Sequence, residues 1–181
     1  MNTNDDKAAL REHYRQARIG NKEKVSFDKI LEVPEVLSST IVASYFSYGK
    51  EPDTTEVNRE LLSQGKKILL PRIDGEDLVW CFWNGDLSTV ENNNGIFEPI
   101  GEIFTNFGAI DCVFVPALAV DSSGIRLGKG KGFYDRALLS IASFSVALIY
   151  SNELSTTALP SNSLDMRVNA AQTPEKLFRF S

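Results

Sequence analysis

The chain has 181 residues, a length that suits one domain with a buried core, and we expect a single domain over residues 1–181. Its formal net charge of −5 argues against a general affinity for nucleic acid or membranes, so a positively charged site must be local. The longest apolar run, VFVPALAV, is too short to cross a bilayer, and the N-terminal residues lack the apolar stretch of a secretory signal.

The first predicted element is a helix from about Lys7 to Arg18, because Asn4 to Asp6 can cap its first turn. Its apolar face consists of Leu10, Tyr14 and Ala17. Its other face is basic and consists of Lys7, Arg11, Arg15 and Arg18. Taken alone, such a basic stripe is typical of a solvated helix face.

Helices and strands are then predicted to alternate as far as the middle of the chain. β-branched and aromatic residues indicate the strands, whereas capping residues, glycine and proline indicate where helices begin and end. In chain order, these elements are a helix from Ser26 to Pro34, a strand over 40–46, a helix that follows a capping box at 53–56 and stops at Gly65, a strand over 66–73 closed by Pro71, and an edge strand over 77–83.

The second half of the chain has one clear strand near its middle. Residues 85–106 are turn-rich and give no assignment, whereas DCVFVPALAV (111–120) has few polar interruptions and predicts the most interior strand. A helix is predicted from Phe133 to Ile141 and a strand over 145–150, and we expect only loops and a short tail after that strand.

This alternation predicts an α/β fold with three αβα layers around a mostly parallel, open sheet. Ligands of such folds bind beyond the carboxyl ends of the strands. Three polar groupings follow strands and should meet at that rim: SYGKEPD (47–53), DSSGIRLGKGKG (121–132), and SNEL with SLDMR (151–154 and 163–167).

Cysteine and histidine are scarce, which narrows the chemistry. Cys81 and Cys112 have no C-x-x-C spacing, and their interpretation as reduced, buried thiols favours a cytoplasmic protein. His13 is the single histidine, which excludes a two-histidine metal site and disfavours a histidine-based catalytic triad.

The most concentrated positive segment is RLGKGKGFYD (126–135). Its glycines let backbone N–H groups approach an anion, its three cations add charge, and a helix starting at Phe133 directs a positive dipole end towards a phosphate. These features together indicate a polyphosphate ligand. Asp135, in the first turn of that helix, is suited to hold Mg²⁺ bridging the phosphates. The alternative interpretation is a flexible turn whose lysines are merely solvated.

The spacing of these glycines differs from that of the two common nucleotide-binding loops. The interval from Gly124 to Gly128 is one residue too short for a P-loop, and Gly130 stands where that loop requires Ser or Thr. The Gly128-x-Gly130-x-Gly132 pattern has the wrong third interval for a dinucleotide-binding fingerprint.

The longer segment VPALAVDSSGIRLGKGKGFYDRAL (115–138) resembles the signature of the 5-formyltetrahydrofolate cyclo-ligases, also called methenyltetrahydrofolate synthetases. Shorter segments resemble the family in the same order: KAALR (7–11), YFSYGKEPDTTEV (45–57), LPR (70–72), GIFEP (95–99) and LDMRVN (164–169). The resemblance spans most of the chain, and the length suits the family.

The resemblance implies an ATP-dependent conversion of 5-formyltetrahydrofolate to 5,10-methenyltetrahydrofolate with release of ADP and phosphate. ATP would phosphorylate the formyl oxygen, N10 would attack the activated carbon, and phosphate would leave as the ring closes. We accordingly expect Mg²⁺ as cofactor, ATP and the folate as small-molecule partners, and a cytoplasmic monomer that binds neither nucleic acid nor membrane.

Matching positions imply the following roles. Arg126 and Lys131 would be catalytic. ATP would contact Lys7, Arg11, Arg126, Leu127, Gly128, Lys129, Gly130, Lys131, Gly132, Phe133 and Tyr134. The folate would contact Phe46, Glu51, Lys129, Gly130, Lys131, Gly132 and Phe133, with Phe46 packed on the pterin and Glu51 hydrogen-bonded to its polar edge. Mg²⁺ would be held by Asp135 and Asp165.

Only the glycine segment and Asp135 have support that is independent of the resemblance. Two departures from the family pattern bear on the site: Phe133 replaces a tyrosine found in many members, and Asn169 stands where an acidic residue is common. The second departure weakens the assignment of the metal ligands, and it weakens that of Asp165 more than that of Asp135.

Two other functions are compatible with the same pattern. One is a nucleotide- or phosphate-binding module of the same fold that regulates without catalysing. The other is a phosphosugar isomerase of similar layered fold, which the single histidine and the Arg-Leu-Gly run disfavour.

Overall fold

A mostly parallel eight-stranded sheet forms the middle layer of the computed structural model, which describes residues 3–20, 25–93 and 95–181. The helices are α1 Thr3–Gly20, α2 Pro34–Ser38, α3 Thr55–Ser63 and α4 Phe133–Ser140, with short 3₁₀ turns at Asp28–Glu32, Leu87–Thr89, Phe107–Ala109 and Ser151–Glu153. The strands are β1 Ile41–Ala43, β2 Lys67–Asp74, β3 Asp77–Trp83, β4 Val90–Asn93, β5 Ile96–Pro99, β6 Ile103–Phe104, β7 Cys112–Pro116, β8 Ala119–Asp121, β9 Arg126–Leu127, β10 Phe144–Leu148, β11 Leu154–Ser155, β12 Ala170–Gln172 and β13 Leu177–Arg179.

The strand order in the large sheet is β13-β12-β10-β7-β1-β2-β3-β6. The five inner strands from β12 to β2 run parallel to one another, whereas β13, β3 and β6 pair antiparallel at the two edges. A mostly parallel sheet was predicted from the alternation of strands and helices, and this prediction is confirmed.

The core has two halves because successive strand residues face opposite sides of the sheet. Val42 and Phe114 face the half covered by α2 and α3, and Ala43 and Val115 face the half that includes Leu138 of α4. The predicted three-layer αβα architecture is therefore confirmed. None of the described helices combines the length and the apolar character that crossing a membrane requires.

Two prolines act differently from the prediction. Pro34 begins α2 instead of ending a helix, because proline at the first helical position loses no intrahelical hydrogen bond. Pro71 lies within β2, where it pairs with Trp80 of β3. Strand β1, on the other side of β2, ends opposite Leu69, so no strand there requires a hydrogen bond from the nitrogen of Pro71.

The predicted central strand over 111–120 is in fact two strands. After Pro116 the chain leaves the large sheet, and β8 pairs with β9 and β11 in a separate three-stranded sheet. The tail, predicted to contain only loops, supplies β12 and β13 to the large sheet. The turn-rich segment 85–106 contains the β4–β5 hairpin and β6, which pairs with β3 and removes it from the edge.

Candidate active site

A cavity of about 680 Å³ lies where β1, β2 and β7 end, as expected for ligand sites in parallel sheets. Every residue predicted from the sequence to bind ATP, folate or metal lines it: Lys7, Arg11, Phe46, Glu51, Arg126, Leu127, Gly128, Lys129, Gly130, Lys131, Gly132, Phe133, Tyr134, Asp135 and Asp165. Of the polar groupings expected at this rim, only residues 151–154 do not line the cavity.

The glycine loop, residues 128–132, connects β9 to α4 along one wall of the cavity. Gly132 is the N-cap of α4 with φ of 70°, a left-handed conformation that favours glycine. No side chain caps this helix end, so its first-turn N–H groups remain available for an anion.

Arginine side chains pack directly against the glycine loop. A Cβ on Gly128 would lie 2.8 Å from Nη1 of Arg126, and one on Gly130 would lie 3.3 Å from the guanidinium carbon of Arg11. Arg11 Nε also donates to the Gly128 carbonyl at 2.9 Å. A Cβ on Gly132 would likewise lie 2.8 Å from Nη1 of Arg136, so the missing side chains make room for three guanidinium groups, an effect that the sequence reasoning did not anticipate.

Of the basic face of α1, Lys7, Arg11 and Arg18 are buried or half-buried and only Arg15 is exposed, although such a stripe alone is typical of a solvated helix face. Lys7 is 6% exposed and Arg18 is 5% exposed. Arg18 binds Glu153 through Nε at 2.6 Å and Nη2 at 2.9 Å, which anchors the C-terminal half of α1. This anchor leaves Lys7 and Arg11, at the other end of the helix, facing the cavity.

Both predicted metal ligands are paired with cations. Asp165 binds Lys7 Nζ through both carboxylate oxygens, at 2.7 and 2.6 Å. Asp135 Oδ1 accepts from Arg126 Nη2 at 2.7 Å and from the Met166 N–H at 3.0 Å. In the described part of the chain, no cluster of three or more His, Cys, Asp or Glu residues could hold a metal ion. Asp135 thus fits Mg²⁺ through its second oxygen, whereas Asp165 does not fit while Lys7 holds it.

Glu51 and Phe46 line the same cavity as the glycine loop. Glu51 Oε2 accepts from the Tyr48 N–H at 2.7 Å, and Oε1 lies 2.7 Å from Lys129 Nζ. Phe46 packs edge-on against Trp83 with the ring centroids 4.9 Å apart, and it also contacts Phe97 of the hairpin. The aromatic surface and the carboxylate are thus adjacent to the glycine loop.

Several lining residues were missed by the sequence reasoning. Tyr45 precedes Phe46 directly, and Arg136 follows Asp135 in the same motif. Arg136 stacks on Phe133, with its guanidinium carbon 5.6 Å from the ring centroid. Both lie inside segments that resemble the family, 45–57 and 115–138, and next to predicted residues, which are the signals that could have identified them.

Three polar atoms are buried in the cavity wall without a hydrogen-bond partner among the described residues: Tyr45 Oη, Tyr134 Oη and Arg126 Nε. Burial raises the pKa of both tyrosines, and the Glu51 charge raises each further. Burial also lowers the pKa of Arg126, against the attraction of Asp135. The wall therefore offers protonated hydroxyl donors and a desolvated guanidinium, both of which suit an oxygen-rich ligand.

Comparisons with known proteins identify one family along most of the chain. A model of the 5-formyltetrahydrofolate cyclo-ligase family matches residues 5–174. The chain is 34% identical over 151 residues to the 5-formyltetrahydrofolate cyclo-ligase of Mycolicibacterium smegmatis, covering 77% of this chain and 76% of that one. It is 26% identical over 159 residues to the Escherichia coli enzyme of the same name, covering 84% and 87%. The NMR structure of Aquifex aeolicus 5,10-methenyltetrahydrofolate synthetase matches with a TM-score of 0.82 at 29% identity, covering 96% and 92%.

Proposed function

The chain belongs to the 5-formyltetrahydrofolate cyclo-ligase family, whose activity converts 5-formyltetrahydrofolate to 5,10-methenyltetrahydrofolate, and we propose how its cavity performs this reaction with ATP. The formyl oxygen attacks the γ-phosphorus, and ADP leaves with the electron pair of the broken P–O bond. N10 then attacks the activated formyl carbon and loses its proton. Phosphate departs with the electron pair of the C–O bond, which leaves the five-membered methenyl ring.

The two substrates must touch for this transfer, and one observation supports that arrangement. Lys129 of the glycine loop lies 2.7 Å from Glu51, so the proposed phosphate and folate regions adjoin within one cavity. The triphosphate lies along residues 126–134, with Lys7 and Arg11 reaching it from α1. Arg126 and Lys131 act on the transferring phosphoryl group, where a cation neutralises developing charge.

The folate occupies the side of the cavity formed by Phe46 and Glu51. Phe46 supplies an apolar surface for the pterin ring, and Glu51 accepts hydrogen bonds from its N–H edge. The backbone of the glycine loop from Lys129 to Phe133 faces the same ligand. This arrangement brings the formyl oxygen beside the terminal phosphate, which is the positioning that phosphoryl transfer requires.

Mg²⁺ is the proposed cofactor, and Asp135 would hold it beside the phosphates of ATP. Mg²⁺ prefers oxygen ligands and neutralises charge on the phosphates to which it binds. Asp135 has a second carboxylate oxygen to offer, since its contacts with the described residues all use Oδ1. Asp165 becomes a ligand only if the triphosphate draws Lys7 away from it.

A cytoplasmic monomer completes the proposal. The predicted site residues all come from one chain and need no second copy to form the cavity. The two cysteines are unpaired and buried, which favours a reducing compartment.

The deciding experiment mixes the protein with Mg-ATP and 5-formyltetrahydrofolate and follows the near-ultraviolet absorbance of the methenyl product. Product formation that depends on ATP, with one ADP released per ring closed, supports the proposal. Nucleotide binding without product would instead support a regulatory module. Isomerisation of a sugar phosphate, supplied in a separate reaction, would support the isomerase alternative.

A further inference from the structure

Tyr45 carries a buried hydroxyl group that the protein itself leaves unused. The residue is 3% exposed and lines the cavity, and its hydroxyl has no hydrogen-bond partner among the described residues. A buried polar group without a partner destabilises a folded protein, so such groups are rare and call for an explanation. A ligand acceptor in the cavity would supply the missing partner.

The backbone of Tyr45 is held by side chains at the start of α3. Its backbone carbonyl accepts a hydrogen bond from Thr54 Oγ1 and another from Asn58 Nδ2 at 3.0 Å. Asn58 is itself held by Ser44 Oγ at 2.6 Å, and both of these side chains are fully buried. These bonds fix the backbone of Tyr45, so a ligand that binds its side chain orders little additional backbone.

The surroundings of the Tyr45 hydroxyl keep its proton in place. Burial raises its pKa well above the ordinary value for tyrosine, and the nearby Glu51 carboxylate raises it further. Tyr134, whose hydroxyl also lacks a partner among the described residues, acts on the same group. The hydroxyl is therefore available as a neutral donor close to the carboxylate that we assign to the pterin.

We propose that Tyr45 is a substrate-binding residue that donates a hydrogen bond to the ring carbonyl oxygen of the pteridine. The pteridine presents an N–H and an amino group beside this carbonyl, so a site that reads this edge needs a carboxylate next to a neutral donor. Glu51 supplies the carboxylate and Tyr45 supplies the donor. This inference rests on the proposed function, because it takes 5-formyltetrahydrofolate as the ligand.

The test compares Tyr45→Phe with wild type and with Tyr14→Phe, a control in a buried tyrosine of α1 that does not line the cavity. For Tyr45→Phe, we expect the dissociation constant of 5-formyltetrahydrofolate to rise about tenfold, the effect of one lost hydrogen bond. The dissociation constant of ATP should stay unchanged. The melting temperature should stay equal or rise, because the variant removes an unpartnered buried hydroxyl. Tyr14→Phe should bind folate as wild type does.

Three outcomes would overturn the inference. One is wild-type folate affinity in Tyr45→Phe. A second is a lower melting temperature with parallel losses of folate and ATP binding, which indicates a structural role. The third concerns a 4-deoxy analogue that lacks the ring carbonyl oxygen. Tyr45→Phe should bind this analogue as tightly as wild type does, so a tenfold weaker affinity of the variant for it would contradict the inference. If wild type itself does not bind 5-formyltetrahydrofolate, the proposed function fails first, and the two failures are thereby distinguished.

Discussion

Lys129 Nζ lies 2.7 Å from Glu51 Oε1, and the same ammonium group stands 4.7 Å from the centroid of the Tyr48 ring. The lysine belongs to the proposed phosphate-binding loop and the glutamate to the proposed pterin contact. Each group can therefore bind its ligand fully only when this ion pair separates. A triphosphate that attracts Lys129 would release Glu51 and strengthen folate binding, which is a coupling free energy between two sites.

Lys129→Met should abolish this coupling. In wild type, we expect a non-hydrolysable ATP analogue to raise folate affinity about fivefold, because the lysine is partly exposed and such pairs contribute up to about 1 kcal/mol. In Lys129→Met, folate should bind at least as tightly without nucleotide, and the analogue should have no further effect. Titration calorimetry measures both affinities. Lys50→Met removes a neighbouring exposed charge and should keep wild-type coupling; undiminished coupling in Lys129→Met would contradict the argument.

Local sequence signals predicted the part of the site that is contiguous in the chain. The glycines and cations of residues 126–132 and the start of a helix at Phe133 are determined by backbone freedom and capping, which act over a few residues. The mostly parallel sheet also followed from local alternation. Site roles carried over from the family resemblance stay predictions, although all of those residues line one cavity.

Pairings between distant residues could not be predicted in this way. Lys7 and Asp165 are separated by 158 positions, and nothing in the periodicity of either segment relates them. The break after Pro116 was missed for a similar reason: apolar residues continue from β7 into β8, and hydropathy does not distinguish one buried sheet from another. Strands β12 and β13 are three residues each, too short to show a pattern.

Lys131→Ala should lower kcat about a hundredfold if Lys131 neutralises charge on the transferring phosphoryl group. This corresponds to a rise of about 3 kcal/mol in the activation free energy. The side chain is exposed and has no ion-pair partner in the described ranges, so the melting temperature should not change. Steady-state kinetics separates the effects, because a rise in KM alone would indicate ground-state binding only. Lys131→Arg keeps the charge and should recover part of the rate; wild-type kcat in Lys131→Ala would remove its assigned role.

Asp135→Asn tests the metal assignment and still leaves Arg126 a hydrogen-bond partner. Alanine would leave the buried guanidinium unpaired, whereas the asparagine amide oxygen can still accept from Arg126 and from the Met166 N–H. If Asp135 binds Mg²⁺, the Mg²⁺ concentration for half-maximal turnover should rise about tenfold, the loss of one contact to a charged ligand. A reduced rate with an unchanged Mg²⁺ requirement would show instead that Asp135 positions Arg126.

Arg18→Met should destabilise the protein by about 3–5 kcal/mol, because it leaves the Glu153 carboxylate buried without its partner. Glu153 is 1% exposed, and burial already raises its pKa despite the bonds from Arg18. The loss should shrink as the pH falls, since the carboxyl group can then take up a proton. Urea unfolding measures this, with Arg18→Met/Glu153→Leu as the matched variant that removes both charges. A double variant as unstable as the single one would refute the assignment.

Asp121, at the start of the glycine-rich segment, should make the free energy of unfolding depend on pH. Burial alone would raise its pKa, but hydrogen bonds from the Leu159, Ser123 and Ile125 N–H groups outweigh burial and leave the pKa lowered. A carboxyl group with a lowered folded-state pKa stabilises the protein above its unfolded pKa of about 4. This stabilisation is lost as the pH falls through the folded-state value.

Asp121→Asn should therefore cost about 2–3 kcal/mol at neutral pH and progressively less below about pH 4. Whichever way the amide turns, its NH₂ group faces a backbone N–H that the carboxylate now accepts, on the Leu159 side or on the Ser123 side. Asp111→Asn is the matched control, because Asp111 is exposed and accepts through one oxygen only, so its amide can turn the NH₂ group to solvent. Urea unfolding across this pH range measures both variants. Equal, pH-independent losses of unfolding free energy in Asp121→Asn and Asp111→Asn would show that the charge of Asp121 does not contribute to stability.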